Sequence, residues 1–274
     1  MNYNEILARL SRVSPDEYEN EARILLCELA PEIKISYLLS HRDDDIDCPA
    51  LDIAVAKREE RIPLQYVIGK WDFYRQTYKV NENCLIPRSD TERLVEMAVE
   101  LLPRGASFAD LCTGSGCIGI STLCERPDTS AILVDKFEKT LELARENIEL
   151  NGVEDRVKSM LFDVICDSKR FEGYSFDAIL SNPPYIRPEV IESLSPEVKK
   201  EPYAALYGGE DGLIFYRAIV ENYSKYLKKE GFFLFEIGYD QADAICEIAT
   251  SNGFDCKIIK DYGGNDRVAH LIRK

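Results

Sequence analysis

The chain has 274 residues, 45% of them hydrophobic and 30% charged, a globular composition that excludes a disordered or fibrous protein. Its 34 Lys and Arg against 49 Asp and Glu give a formal net charge of −15, which disfavours a stable complex with nucleic acid. Nine cysteines without a Cys-x-x-Cys pair and only two histidines, His41 and His270, are poor material for a zinc site or a Ser-His-Asp hydrolase, and no metal is expected.

The start, Met1-Asn-Tyr-Asn-Glu-Ile6, lacks a basic, apolar leader, and no apolar run approaches the ~18 residues of a membrane span. A cytoplasmic chain with reduced thiols and two structural histidines is expected. From Asn4 to about Glu60, Ile6, Leu7 and Leu10, then Ala22, Leu25, Leu26 and Leu29, recur at helical spacing, punctuated by Pro31 and Pro49. Residues 1–70 are therefore predicted to form a helical domain, assigned to substrate docking because it carries no chemical motif. Residues 71–90 are predicted to be a hairpin linker, alternating over 71–85 with a turn at Asn81-Glu-Asn83. Ser89-Asp-Thr-Glu92 has capping-box spacing and predicts a helix start.

Residues 91–274 alternate strand-like segments at 107–112, 131–135, 157–163, 176–182 and 231–237 with helix-like ones, including 138–150, 212–228 and 241–251. This predicts an α/β fold with a mostly parallel sheet, helices on both faces and a ligand at the carboxyl ends of the strands. Only Asp261 to Asp266 separate the closing strands, 255–260 and 267–272, which is too short for a crossover, so the last strand should be antiparallel.

After the first core strand, Ala109-Asp-Leu-Cys-Thr-Gly114-Ser-Gly116-Cys-Ile-Gly119 contains G-x-G-x-x-G, and Asp135 follows Gly114 by 21 residues at the end of the next strand. Glycines there let backbone amides approach a ligand at a helix start, and the aspartate can accept ribose hydroxyls. The motif alone does not separate a dinucleotide from S-adenosylmethionine. Asp110 would repel a pyrophosphate and attract the ammonium of a methionine moiety. Asp163 suits an adenine amino group, and reads equally as a solvated residue closing its strand.

The segment Ile179-Leu-Ser-Asn182-Pro183-Pro184-Tyr185 ends an apolar strand in two prolines, which stiffen the chain and leave acceptors free. The Asn182 side-chain oxygen and the Pro183 carbonyl can each take one N–H of a planar NH₂ group while Tyr185 stacks on its face. Together with the glycine loop this points to methylation of a nitrogen.

These motifs stand in one order with Leu85-Ile-Pro-Arg-Ser-Asp-Thr-Glu92, Glu201-Pro-Tyr-Ala-Ala-Leu206, Gly209-Glu-Asp-Gly-Leu213 and Glu236-Ile-Gly-Tyr-Asp-Gln241. In them the chain resembles the peptide chain release factor N5-glutamine methyltransferases over nearly its full length. The resemblance implies a Rossmann-like S-adenosylmethionine-dependent methyltransferase fold. It also implies methyl transfer from S-adenosyl-L-methionine, leaving S-adenosyl-L-homocysteine, to the glutamine amide of the Gly-Gly-Gln loop of release factors. The family's cofactor loop falls on Cys112, Thr113, Gly114, Ser115 and Gly116, preceded by Asp110. Its ribose carboxylate falls on Asp135, its adenine side on Asp163 and Val164, and its glutamine clamp on Asn182, Pro183, Pro184 and Tyr185. Arg88 falls near the cofactor and entrance. A monomer without a membrane partner is expected.

Two positions depart from the family: Ser89 replaces the usual proline and Cys112 the usual glycine. Serine is a good N-cap, so the first change should be mild. A side chain at Cys112 costs about 1 kcal/mol if its φ is positive. Cys117, beside a helix start, reads as an ordinary buried thiol. The alternatives are a ribosomal-protein glutamine methyltransferase and a nucleic-acid exocyclic-amine methyltransferase, although the tail from Glu230 shows no Lys/Arg cluster.

Overall fold

Helix α1 (Tyr3–Leu10) opens on a complete capping box, in which Asn2 accepts from the Glu5 N–H and Glu5 from the Asn2 N–H. Helices α2 (Tyr18–Leu29), α3 (Ile35–Leu38), α4 (Pro49–Glu59) and α5 (Leu64–Ile68) follow, and α4 starts on proline, whose missing N–H costs nothing there. Their apolar stripes meet in a core that includes Ile6, Leu10, Leu25, Leu26 and Val55. The computed structural model describes every residue from Met1 to Lys274 and divides them into two units. The first is Met1–Lys70 with Ser195–Lys200, and the second is Trp71–Leu194 with Glu201–Lys274. Within the first, Arg58 is 2% exposed and donates two parallel bonds to Glu21, each 2.9 Å, while Glu197 stands 3.6 Å from the same guanidinium.

Strands β1 (Lys70–Phe73) and β2 (Gln76–Lys79) form the hairpin, but its turn lies at Tyr74 and Arg75, with Tyr74 at φ 58°. The predicted turn at Asn81 is a separate feature, closed by Asn83 N–H donating to Asn81 Oδ1 at 2.9 Å. Helix α6 (Glu92–Leu101) does start where expected, yet without a capping box. Residues Ser89–Thr91 wind as a 3₁₀ turn, and the Glu92 carboxylate instead accepts from the Tyr74 N–H at 2.9 Å.

The remaining elements are β3 (Ser107–Leu111), α7 (Cys117–Glu125), β4 (Ser130–Asp135), α8 (Glu138–Leu150), β5 (Val157–Leu161), β6 (Phe176–Ser181), α9 (Pro188–Ile191), α10 (Tyr203–Leu206), α11 (Ile214–Tyr223), β7 (Leu227–Glu236), α12 (Ala242–Ser251), β8 (Phe254–Lys260) and β9 (Asp266–Arg273). They build a seven-stranded sheet in the order β5-β4-β3-β6-β7-β9-β8. The first five pair in parallel, and β9 runs antiparallel to both β7 and β8. Strand alternation feeds two cores: Ala109, Leu111 and Val134 enter one, and Phe108, Leu133 and Leu180 the other.

Helix α11 stops at Tyr223, short of the predicted 228, because Leu227 already pairs with Phe176 across a register shift in the β6–β7 ladder. The reading of all cysteines as reduced thiols is also corrected. Cys246 on α12 and Cys256 on β8 form a disulfide with Cα atoms 5.2 Å apart, a separation that packing of the helix on the neighbouring strand supplies. His41 stacks on Tyr37 at 4.0 Å, and His270 meets Phe232 edge-on at 5.1 Å, where burial lowers its pKa to about 4. No helix is long and apolar enough to cross a membrane.

Candidate active site

The chain moves outward from β3 through β4 and β5, then returns to place β6 on the other side of β3. Loops leaving β3 and β6 therefore diverge, and a crevice opens beyond the carboxyl ends of the strands. There lies a cleft of about 300 Å³, a volume at the lower end of small-molecule sites. Its wall includes Arg88, Cys112, Thr113, Gly114 and Ser115. It continues through Asp135, Asp163, Val164, Asn182 and Pro184, with Phe137, Phe162, Ile165, Tyr207 and Phe215 as apolar surface that sequence reasoning did not single out.

The glycine loop is shaped by backbone demands. Gly114 and Gly116 have φ of 57° and 85°, and a Cβ on Gly116 would stand 2.7 Å from Ile120 Cδ1. At Gly119 a Cβ would meet the Leu133 side chain at 2.8 Å and Asp110 Oδ2 at 3.1 Å, so the third glycine lets α7 lie close on the sheet. Cys112 has φ 58°, a left-handed conformation that disfavours any side chain. Since alanine keeps the Cβ and glycine removes it, Cys112→Gly should unfold at higher temperature than Cys112→Ala, by about 1 kcal/mol of stability. Equal melting of the two variants in thermal denaturation would show that the loop carries no such strain.

Asp110 stands beneath this loop, outside the residues that line the cleft. It is fully buried: Oδ2 accepts from the Thr113 hydroxyl at 2.6 Å and the Gly119 N–H at 3.0 Å, while Oδ1 has no partner. Burial pushes its pKa up to about 7. Its place follows from strand alternation, which turns position 110 toward α7. Gly116 likewise lies outside the lining, and Cys117 is a buried thiol whose pKa burial raises.

Asp135 ends β4 in the wall, Oδ2 accepting from the Gly114 N–H at 3.1 Å and Oδ1 from the Phe137 N–H at 3.0 Å, with burial raising its pKa. Asp163 accepts from the Ile165 N–H at 2.9 Å and pairs with Lys136 at 2.7 Å. Although burial opposes it, the Lys136 ammonium holds the Asp163 pKa below the usual carboxylate range. Arg88 pairs with Glu201, which also accepts from the Ile86 N–H at 3.0 Å. Both cations in the wall, Arg88 and Lys136, are thus already paired with carboxylates.

The strand end of β6 is pinned by the Ser181 hydroxyl, which donates to the Leu111 carbonyl at 2.6 Å. The next side chain, Asn182, is half-buried, and its Nδ2 donates to Thr91 Oγ1 at 3.3 Å. Pro183 is buried and does not line the cleft. Tyr185 is also outside the lining, with its hydroxyl donating to Glu236 Oε1 at 3.3 Å. Its backbone is gripped: Gln241 Nε2 donates to the Tyr185 carbonyl at 3.2 Å, and a Cβ on Gly208 would come within 2.6 Å of Tyr185 Cα. Thr91, Gly208, Glu236 and Gln241 therefore support the tetrapeptide, a role that the sequence reading missed. Thr91, Glu236 and Gln241 stood in motifs it had quoted, but spacing along the chain gave no hint of their contacts.

The profile of the PrmC N-terminal domain matches residues 3–69, and that of the Methyltransferase small domain matches residues 91–197. A release factor glutamine methyltransferase of Fusobacterium nucleatum is 42% identical over 79% of this chain, which spans 62% of that relative's length. The release factor glutamine methyltransferase of Thermodesulfovibrio yellowstonii is 38% identical over 92% of this chain and 91% of its own. Among solved structures, a methyltransferase from Pyrococcus furiosus shares the fold with a TM-score of 0.52 at 19% identity, over 71% of this chain and 87% of that one. With its cleft at the β3–β6 reversal, its Asn-Pro-Pro-Tyr strand end and relatives aligned along nearly its whole length, this chain belongs to the release factor glutamine methyltransferase family.

Proposed function

We propose that the chain methylates the side-chain amide nitrogen of the glutamine in the Gly-Gly-Gln motif of peptide chain release factors, using S-adenosyl-L-methionine and releasing S-adenosyl-L-homocysteine. The observation that carries this reading is Asn182: its Nδ2 is engaged by Thr91, so its Oδ1 remains to accept from an amide brought into the cleft. S-adenosylmethionine, when bound, supplies an electrophilic methyl group.

The residues present suit that cofactor. The charge of the wall favours a cationic sulfonium over a diphosphate: Asp135 and Asp163 stand in it, and its two cations, Arg88 and Lys136, are each paired with a carboxylate. Asp135 would hold the ribose hydroxyls, and Cys112, Thr113, Gly114, Ser115 and Gly116 would shape the loop around the methionine end, braced by Asp110 from below. Asp163 and Val164 would flank the adenine, and Arg88 the entrance. The net charge of −15 and a tail from Glu230 without a Lys/Arg cluster argue against a nucleic-acid amine as substrate.

An amide nitrogen is a poor nucleophile because its lone pair is delocalised, so orientation carries most of the catalysis. Asn182 Oδ1 and the Pro183 carbonyl each accept one N–H of the glutamine amide, and Tyr185, fixed through its hydroxyl, offers a ring face. As positive charge develops on the nitrogen these acceptors bind it more strongly, which favours the transition state over the ground state. The proton leaves after transfer. The helical residues 1–70 serve docking of the release factor, and the reaction belongs to the cytoplasm.

Transfer of label from radiolabelled S-adenosylmethionine, offered separately to release factor, ribosomal protein, DNA and ribosomal RNA, tests the substrate; label on any but the release factor overturns the assignment. For the cofactor site, Asp135→Ala should weaken binding by about 1.5 to 3 kcal/mol, since charge-assisted bonds to two hydroxyls are lost. Calorimetric titration measures it, and an unchanged Kd would move the site elsewhere.

A further inference from the structure

Two stretches that contribute to the cleft wall, residues 84–88 and 202–207, lie outside the seven-stranded sheet. Each is fastened at one end. The Thr140 hydroxyl on α8, itself in the wall, donates to the Asn83 carbonyl at 2.7 Å. The Ile186 N–H, next after Tyr185, donates to the Leu206 carbonyl at 2.9 Å, and the Gly208 N–H donates to the Ile186 carbonyl at 3.0 Å. At their other ends the two stretches meet in Glu201, whose Oε2 accepts from the Ile86 N–H at 3.0 Å and whose Oε1 accepts from Arg88 Nη2.

Glu201 is 4% exposed and does not line the cleft, so it acts on a ligand only through the residues it holds. The pairing is not one that Arg88 requires: its side chain is 38% exposed and stays hydrated, and taking a carboxylate out of water offsets much of what such a pair contributes to stability. What the two bonds fix is placement. Binding one carboxylate to the backbone at 86 and the side chain at 88 holds the first stretch against the start of the second. A wall already in place loses no further freedom when a ligand enters, so the cost of ordering it is absent from the binding free energy.

We propose that Glu201 is a positioning residue for S-adenosylmethionine: by accepting from Ile86 and Arg88 it joins the 84–88 and 202–207 stretches into one continuous edge of the cofactor cleft. This rests on the cofactor reading above. Without the carboxylate the Ile86 N–H loses this acceptor, the two stretches part, and the cofactor must order them as it binds.

The test titrates the full chain with S-adenosylmethionine by calorimetry, beside thermal unfolding of the unliganded protein. Glu201→Ala removes both bonds and should raise Kd roughly 10-fold, the scale of ordering a short loop and its side chains. Glu201→Gln keeps an acceptor for the Ile86 N–H but turns an NH₂ group toward Arg88, and should raise Kd about 3-fold; it carries the test if the alanine variant fails to fold. In both, the number of sites per folded chain should stay at the wild-type value, since the residues of the wall remain. A glutamate that serves only the fold would lower the melting temperature and the number of sites, and leave the Kd of the remaining sites unchanged. A wild-type Kd in either variant therefore overturns the inference alone. A wild-type chain that binds no S-adenosylmethionine overturns the cofactor reading and this inference with it.

Discussion

Asn182→Ala is expected to abolish methyl transfer while leaving cofactor binding and the fold largely intact. The side chain is half-buried and makes one bond within the protein, Nδ2 to Thr91 at 3.3 Å, so its removal costs the fold only about 1 kcal/mol. In the reaction it supplies an acceptor whose bond strengthens as the substrate nitrogen gains positive charge. Losing a transition-state contact of this kind raises the barrier by ~3 to 4 kcal/mol, on the order of 10²- to 10³-fold in rate. An asparagine that merely braced the turn would behave differently, with a lower melting temperature and near-normal turnover per folded molecule. Single-turnover transfer to a Gly-Gly-Gln release factor, beside calorimetry and thermal unfolding, separates the two. Near-normal transfer by well-folded Asn182→Ala would refute the amide-clamp mechanism.

The largest effect on stability is expected at Arg58→Met in the N-terminal helical unit. Glu21 is 8% exposed and both its oxygens are bound to this one guanidinium at 2.9 Å. Truncation leaves a buried carboxylate without a cation, which costs about 3 to 5 kcal/mol. Glu21→Gln should cost less, because Glu197 still stands 3.6 Å from Arg58. Replacing both, as in Arg58→Met with Glu21→Leu, removes the stranded charge and should recover much of the loss. Urea unfolding followed through the N-terminal helices measures all three. A double variant no more stable than Arg58→Met would mean that packing of the arginine stem, rather than the charge on Glu21, sets the cost.

The sequence by itself determined the alternation of strands and helices, the antiparallel last strand, the glycine loop and the Asn-Pro-Pro-Tyr strand end. Each is written in local spacing, where a pattern over a few residues has one economical backbone solution. It also identified Cys112 as the position where a side chain meets a glycine's conformation, and φ 58° meets that condition. What the tertiary structure alone decided are pairings between residues far apart in the chain. Asp110 adjoins the loop in sequence, and strand alternation turns its side chain under α7, to the Gly119 N–H. Ser89 and Glu92 have capping-box spacing, yet the Glu92 carboxylate is taken by Tyr74 N–H in the hairpin turn. Cys246 and Cys256 read as reduced thiols until α12 packed against β8. The Asn182 side chain finds its partner in Thr91, 91 residues earlier. A side chain's local neighbours fix its backbone, but the direction of a hydrogen bond is set by whichever donor or acceptor the fold delivers to it, and one-dimensional spacing does not encode that delivery.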